Sequence, residues 1–136
     1  KWEVLEWSAM LTAVNSGKVD MIAANMNMTL ERASQIVFSD PYFVDHGKGC
    51  VAKDSEYNSL DDLKGQAVKI GVTEGSAYEE LIPQLFPESE TVTLAAGTWQ
   101  DALSSGLIDV MMVLYLQDLW QPTKTSDFLT ATVHLI

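Results

Sequence analysis

The stretch of sequence that decides the fold occurs twice. Residues 13–21 read AVNSGKVDM, and residues 102–110 read ALSSGLIDV, 89 positions later in a chain of 136 residues. Each copy has the pattern of a helix end, a glycine that closes the helix, and an apolar strand opened by an aspartate. Many helix–strand junctions share this pattern, which is the plainer explanation. The alternative is two related α/β lobes, each with a ligand site beyond the carboxyl ends of its strands.

Apolar runs of strand length alternate with short helical segments on both sides of these copies. Their β-branched residues and their length favour strands over buried helices. Strands alternating with helices predict βαβ units, a mostly parallel sheet and therefore an α/β fold. The predicted strands are residues 2–6, 19–24, 67–72, 91–95 and 108–115.

Serine and threonine residues mark the predicted helix starts. Ser8 is predicted to cap a helix that ends at residues 15–17, and a second short helix starts at Thr29. Further along, a Ser or Thr is followed three residues later by an acid, which is the pattern of a capping box. The three pairs are Ser59 with Asp62, Ser76 with Glu79, and Thr98 with Asp101.

The charge and composition exclude several classes of function. Eight Lys+Arg against 19 Asp+Glu give a net charge of -11, which disfavours nucleic-acid partners and anionic membrane surfaces. The single cysteine, Cys50, excludes an internal disulfide and a Cys-based zinc site. His46 and His134 have no partner at metal-ligand spacing, so neither a metal nor another cofactor is predicted.

Residues 25–32, NMNMTLER, follow the first repeat strand at the place where a binding loop is expected. Two amides, a hydroxyl and a guanidinium lie within eight residues, and arginine presents a planar fork of donors that matches a carboxylate. The structural alternative is that Thr29 only caps a helix and that Arg32 pairs with Asp40 or Glu31 on the surface.

Residues 71–76, GVTEGS, join a predicted strand to a predicted helix. Glycines let backbone amides approach a ligand, and a helix N-terminus favours an anion. The alternative is an ordinary turn with Ser76 as the helix cap, and the two explanations are compatible. Glu74 and Glu79 fit exposed first-turn acids better than acid/base groups.

Several motifs resemble the family 3 extracellular solute-binding proteins, the polar amino-acid receptors of bacterial ABC importers. They are SGKVD at 16–20, MTLER at 28–32, FSDPY at 38–42, LDDLKG at 60–65, Gly75-Ser76 and SGLID at 105–109. The order and spacing of these motifs are those of the family over residues 2–115, and residues 117–136 match loosely.

The resemblance implies a two-lobed, Venus-flytrap receptor of the type II periplasmic-binding-protein class. Residues 1–45 would be part of lobe one and residues 46–136 lobe two, with the crossing near residues 44–47. Arg32 would grip the ligand's carboxylate. The other ligand-binding positions implied are Asn25, Asn27 and Thr29 in lobe one, and Gly75, Ser76, Ala77 and Leu114 in lobe two.

Two departures from the family pattern have consequences. Leu114 stands where the family usually has an aspartate for the α-ammonium, and Ala77 replaces a frequent hydroxyl. Either the ligand lacks that ammonium, or another acid such as Asp118 or Glu74 takes its place, because an unpaired buried charge is costly. The chain also lacks the family's opening strand, so we expect a fragment with an incomplete lobe one, whose unpaired edge favours dimerisation.

Three functions follow from the resemblance. The first is non-enzymatic binding of a small carboxylate-bearing solute for the membrane permease of an ABC importer. The second is ligand sensing, in which the same domain is fused to a signalling module. The third is a dehydratase-like enzyme on the same fold. All three imply an extracellular or periplasmic location, with or without a membrane anchor.

Overall fold

The structure, a computed structural model, describes residues 1–42, 47–114 and 128–132. The chain divides into two compact units, unit 1 (Lys1–Val44) and unit 2 (Asp45–Ile136). Of the crossing predicted near residues 44–47, only Gly47 lies within the described residues, and His46, His134 and Asp118 lie outside them. No helix in the described part of the chain is long and apolar enough to span a bilayer.

Unit 1 is helical where it is regular. A 3-10 turn, Trp7–Ala9, leads into α1 (Met10–Asn15), and α2 (Leu30–Ala33) follows. The predicted helix after Ser8 is confirmed, but Ser8 as its cap is wrong. Ser8 lies inside the 3-10 turn, and the N-cap position is Ala9, which has no side-chain oxygen to offer.

The two strands predicted in unit 1, at residues 2–6 and 19–24, are wrong. Within residues 1–42 no segment forms a strand. Trp2 is 87% exposed and Val4 100% exposed, so two of the three apolar residues of the first segment face solvent, and Leu5 is half-buried. A strand is held by hydrogen bonds to a neighbouring strand, and residues 1–42 contain no such neighbour.

Unit 2 contains a mixed five-stranded sheet. In chain order its elements are β1 (Gly47–Ala52), β2 (Lys69–Thr73), α3 (Tyr78–Leu85), β3 (Glu90–Leu94), α4 (Trp99–Ser104), β4 (Val110–Leu114) and β5 (Phe128–Thr132), with a 3-10 turn at Asp61–Leu63. The strand order is β3-β2-β4-β1-β5. β2 runs parallel to β3 and β4, whereas β1 runs antiparallel to β4 and β5.

The three strands predicted near residues 67–72, 91–95 and 108–115 are therefore confirmed, with ends shifted by two residues or fewer. β1 and β5 were not predicted, and the sheet is mixed because both pair antiparallel. The sequence of β1, GKGCVA, carries two glycines and a lysine, which have low strand propensity. It becomes a strand because it lies between β4 and β5.

Apolar side chains cover both faces of this sheet. Residues of β4 alternate, with Val110 and Met112 packing on the side of α3 and Met111 and Val113 on the side of α4. This alternation follows from the two-residue period of a strand, and two covered faces are typical of α/β sheets. The α/β interpretation of unit 2 is thus supported by its packing.

The repeated stretch has the same local geometry in both copies. The helix-closing glycines Gly17 and Gly106 have φ angles of 72° and 71°. The serine before each, Ser16 or Ser105, donates its hydroxyl to the carbonyl three residues earlier at 3.2 Å. The two copies differ afterwards, because only the second leads into a strand.

Candidate functional site

The 25–32 loop is organised around Thr29 and Arg32. Thr29 has an extended backbone at the N-cap of α2, and its Oγ1 accepts a hydrogen bond from the Arg32 backbone N–H at 3.2 Å. The prediction that Thr29 starts a short helix is confirmed. This cap fixes the first turn, so the backbone of Arg32 has a defined position relative to the loop before it.

Arg32 is buried, with 5% of its surface exposed. Its Nη1 donates to the backbone carbonyl of Asn27 at 2.9 Å, and its Cζ lies 5.9 Å from the centre of the Trp7 ring. The alternative that placed Arg32 on the surface is therefore wrong. An aromatic face and a carbonyl hold the guanidinium, whose five N–H donors suit a planar anion.

Asn25 has a left-handed backbone with a φ of 48°. Its Oδ1 accepts a hydrogen bond from the Tyr42 hydroxyl at 2.8 Å. The sequence pattern does not identify Tyr42 and Trp7 as partners of the loop, although Tyr42 belongs to the FSDPY motif. The signals that the sequence offers for these two residues are their aromatic character and their nearness to the ends of predicted elements.

The 73–77 turn lies between β2 and α3. Gly75 has a φ of 71°, and its N–H donates to Glu79 Oε2 at 2.8 Å. The predicted capping box is wrong, because the N-cap position is Ala77 and the Glu79 carboxylate reaches Gly75 instead of Ser76. The Glu79 carboxylate therefore accepts a hydrogen bond from within the turn.

Because Ala77 is the N-cap residue of α3, the Ser76 hydroxyl does not cap this helix. Its Oγ is buried and has no hydrogen-bond partner among the described residues. Buried polar atoms are nearly always hydrogen-bonded, so an unsatisfied one calls for an explanation. Ser76 lies immediately before Ala77, the N-cap residue of the eight-residue helix α3.

Gly71 differs from Gly75 in its role. It lies within β2, and a Cβ there would meet side-chain atoms of Ile108, Met111 and Leu94 at 2.6–3.3 Å. The prediction that this glycine lets the backbone approach a ligand is wrong, because its free side is filled by the core. Leu114 is the last residue of β4 and pairs with Gly47 of β1.

The structure thus forms two groups of candidate residues, one in each unit. Unit 1 brings Asn25, Asn27, Thr29 and Arg32 into one loop, and unit 2 brings Gly75, Ser76 and Ala77 into one turn. In the described ranges, no three His, Cys, Asp or Glu side chains lie close enough together to hold a metal ion.

The profile of the bacterial extracellular solute-binding proteins, family 3, matches residues 1–125. The chain belongs to this family. The predicted resemblance is confirmed, as is the α/β fold class that it implies. This family 3 protein is similar to the arginine-binding extracellular protein ArtP of Bacillus subtilis, with 39% identity over 84 residues, which is 62% of this chain and 32% of ArtP.

Two further similarities cover almost the whole chain. The L-cystine-binding protein TcyJ of Escherichia coli is 32% identical over 131 residues, 93% of this chain and 48% of TcyJ. The amino acid ABC transporter substrate-binding protein AbpA of Streptococcus pneumoniae, solved with bound L-arginine, superposes with a TM-score of 0.87 at 26% identity, covering 99% of this chain and 57% of that one. The chain spans less than half the length of ArtP and less than half the length of TcyJ.

Proposed function

We propose that this chain is part of a non-enzymatic receptor that binds a small carboxylate-bearing solute and delivers it to the permease of an ABC importer. The observation that carries the proposal is Arg32, a buried guanidinium held by Trp7 and by the Asn27 carbonyl. A buried arginine with its fork oriented is the usual recognition element for a carboxylate. The names of the family 3 relatives, which bind arginine or cystine, support the ligand class.

The proposed carboxylate site lies in unit 1. Arg32 binds the carboxylate in a bidentate manner, and Asn25, Asn27 and Thr29 shape the loop around it. In unit 2, Gly75, Ser76 and Ala77 are proposed separately as ligand-contacting positions, with the Ser76 hydroxyl as a donor. The receptor acts outside the cytoplasm, in keeping with the family to which it belongs.

Calorimetry on the full-length protein tests this function. The ligand is first identified by thermal shift against amino acids and small carboxylates, since a ligand at 100 times its Kd stabilises by about 2.7 kcal/mol. We then expect Arg32→Ala to weaken binding by about 30-fold to several thousand-fold, because one partner of a buried charged pair is lost. Arg32→Lys should fail to restore affinity, because a lysine lacks the planar fork.

Lys18→Ala is the matched control. Lys18 is an exposed cation of the same unit, so its removal changes the net charge equally but leaves the loop intact. Affinity that is unchanged in Arg32→Ala, or lowered equally in Lys18→Ala, would show that Arg32 does not bind the ligand.

A further inference from the structure

We propose that Trp7 is a positioning residue of the carboxylate site, and that its indole ring holds the Arg32 guanidinium in its binding orientation before a solute arrives. This inference rests on the proposed function, because it concerns the same arginine. It adds a residue from outside the 25–32 loop to the site. Trp7 acts through Arg32, so its role requires no contact between Trp7 and the solute.

The contact between the Trp7 and Arg32 side chains is a cation–π interaction. Arg32 Cζ lies over the face of the Trp7 ring, 5.9 Å from its centre. Tryptophan attracts a cation in this way more strongly than the other aromatic residues do, and a guanidinium stacks readily on an aromatic face. Arg32 is buried and Trp7 is half-buried within unit 1. The attraction between them is stronger in such a place than on an exposed surface.

Burial of the Arg32 guanidinium requires compensation for the water that it loses. A carboxylate side chain would provide compensation, but it would also accept hydrogen bonds from the N–H groups of the guanidinium and neutralise its charge. An aromatic face attracts the cation through its quadrupole and places no oxygen acceptor on those N–H groups. Trp7 therefore stabilises the buried charge of Arg32 by a contact that suits the binding of an anion.

Two hydrogen bonds also restrict Arg32. Thr29 Oγ1 accepts from its backbone N–H, and the Asn27 carbonyl accepts from its Nη1 at 2.9 Å. These bonds fix the start of the side chain and one nitrogen at its end, but a group held at two points can still rotate about the line that joins them. The Trp7 ring restricts this rotation, because the guanidinium cannot turn through the ring. The ring thus defines the plane in which Arg32 meets a carboxylate.

The backbone at the start of α1 places Trp7. Trp7 is the first residue of the 3-10 turn Trp7–Ala9, in which the Ala9 N–H donates to the Glu6 carbonyl at 3.0 Å. α1 follows this turn directly. Trp2, the other tryptophan of residues 1–42, is 87% exposed. It provides a matched control, because it has the same side chain in the same unit.

Nuclear magnetic resonance of the full-length protein without a solute tests the orientation of Arg32. Arg32 is the one arginine in these 136 residues, and its Nε–H signal is identified by its absence from the spectrum of Arg32→Lys. The ring current of an indole shifts nuclei above its face upfield, so we expect Trp7→Leu to move this signal downfield. Trp2→Leu should leave the signal unchanged. An Arg32 signal that Trp7→Leu does not move would overturn the inference.

Fluorinated tryptophans at position 7 separate the cation–π interaction from packing. Fluorine weakens the attraction of the ring for a cation but leaves the shape of the ring nearly unchanged. The series is tryptophan, 5-fluorotryptophan and 4,5,6,7-tetrafluorotryptophan, and the probes for calorimetry are L-arginine, L-glutamine and L-cystine, which share the α-carboxylate. We expect the dissociation constant to rise stepwise along the series, by about three- to thirty-fold in total. The factor should be the same for each probe that binds.

The outcomes distinguish this inference from the proposed function. Affinity that is lost in Arg32→Ala but constant along the fluorinated series would overturn the inference and leave the proposed function standing. A factor that differs between the probes that bind would show that Trp7 contacts the side chain of the solute instead of acting through Arg32, which would also overturn it. If none of the probes and no other carboxylate binds, the proposed function fails and the inference fails with it.

Discussion

Gly71 shows how one residue can be misread from sequence and explained by packing. Its pattern, a glycine before a turn, is that of a ligand-binding loop, yet it lies in β2 under the side chains of the core. A Cβ at Gly71 would come within 2.6 Å of Ile108 Cδ1 and 3.1 Å of Met111 Sδ. An alanine at this position would require the Ile108 side chain to shift.

We therefore expect Gly71→Ala to lower the free energy of unfolding by about 1–3 kcal/mol, the usual cost of overpacking a core. Gly49→Ala is the comparison, because its Cβ would meet Val110 Cγ1 at 3.1 Å, a milder contact. Urea denaturation of the two variants should rank Gly71→Ala as the less stable. A Gly71→Ala variant as stable as the wild type would mean that Ile108 and Met111 move aside easily.

Only some of the residues of the candidate site, and few of their partners, could be predicted from the sequence. The Thr29 cap and the importance of Arg32 follow from residues within one short stretch, where spacing along a helix fixes which groups meet. The partners Trp7 and Tyr42 do not, because each lies 17 or more positions from the residue it contacts. Contacts of that separation depend on how the chain folds back.

At the scale of elements, the turn before the 3-10 helix Asp61–Leu63 depends on one carboxylate. Asp62 Oδ2 accepts from the N–H groups of Asn58 at 2.9 Å and Ser59 at 2.8 Å. These bonds hold the pKa of Asp62 below its ordinary value of 3.8. Since the pKa is lower in the folded chain, the turn is fully stabilised above the ordinary value and loses this contribution as the pH falls through the folded pKa.

We expect Asp62→Ala to shift the Asn58 and Ser59 amide resonances at neutral pH, and the wild type to show the same shift only in acid. Asp61→Ala is the control, because the Asp61 carboxylate contacts Lys64 Nζ at 2.6 Å instead. Nuclear magnetic resonance spectra recorded across the acid range measure both. Amide resonances that do not follow an acid titration in the wild type would contradict this account.

The two copies of the repeat show where an element needs more than its own sequence. After the second copy, Asp109 donates its N–H to the Lys69 carbonyl at 2.9 Å, and its Oδ2 accepts from the Lys69 N–H at 2.8 Å. β4 thus starts against an existing strand. Asp20 occupies the same place in the first copy, but residues 1–42 provide no strand beside it. The two copies therefore form the same turn, but only the second is followed by a strand.

At the scale of the whole molecule, the two units differ in how much they bury. In residues 1–42 only Ala13 and Arg32 are buried, whereas unit 2 has apolar clusters on both faces of its sheet. Stability against local opening follows buried apolar contacts and protected backbone hydrogen bonds. The division into lobes at residues 45 and 46 remains a proposal. The difference in burial between the two units predicts that their backbone amides differ in protection against hydrogen exchange.

We expect backbone amides in residues 47–114 of this 136-residue chain to exchange with deuterium more slowly than those in residues 1–42. Mass spectrometry of peptides from the two segments measures this, with size-exclusion chromatography to establish that the sample is monomeric. A dimer that protects residues 1–42 would show that a second copy covers the exposed apolar residues. Equal protection of both segments in a monomer would contradict the expected order of stability.

The sequence by itself determined the family, the α/β class, the strands of the parallel part of the sheet and the two helix-closing glycines. These features depend on periodicity, turn chemistry and short spacings, all of which are local. It also predicted, from the donors of residues 25–32 and 71–76, that these segments bind a carboxylate, and this stays a prediction.

Only the tertiary structure decided which apolar runs become strands. β1 forms from a glycine-rich segment because β4 and β5 lie on either side of it, whereas residues 19–24 remain outside any strand. It also decided that the Tyr42 hydroxyl orients Asn25 and that Trp7 covers Arg32. The physical reason is the same in each case: backbone pairing and side-chain orientation depend on neighbours that are distant in sequence and become adjacent only when the chain folds.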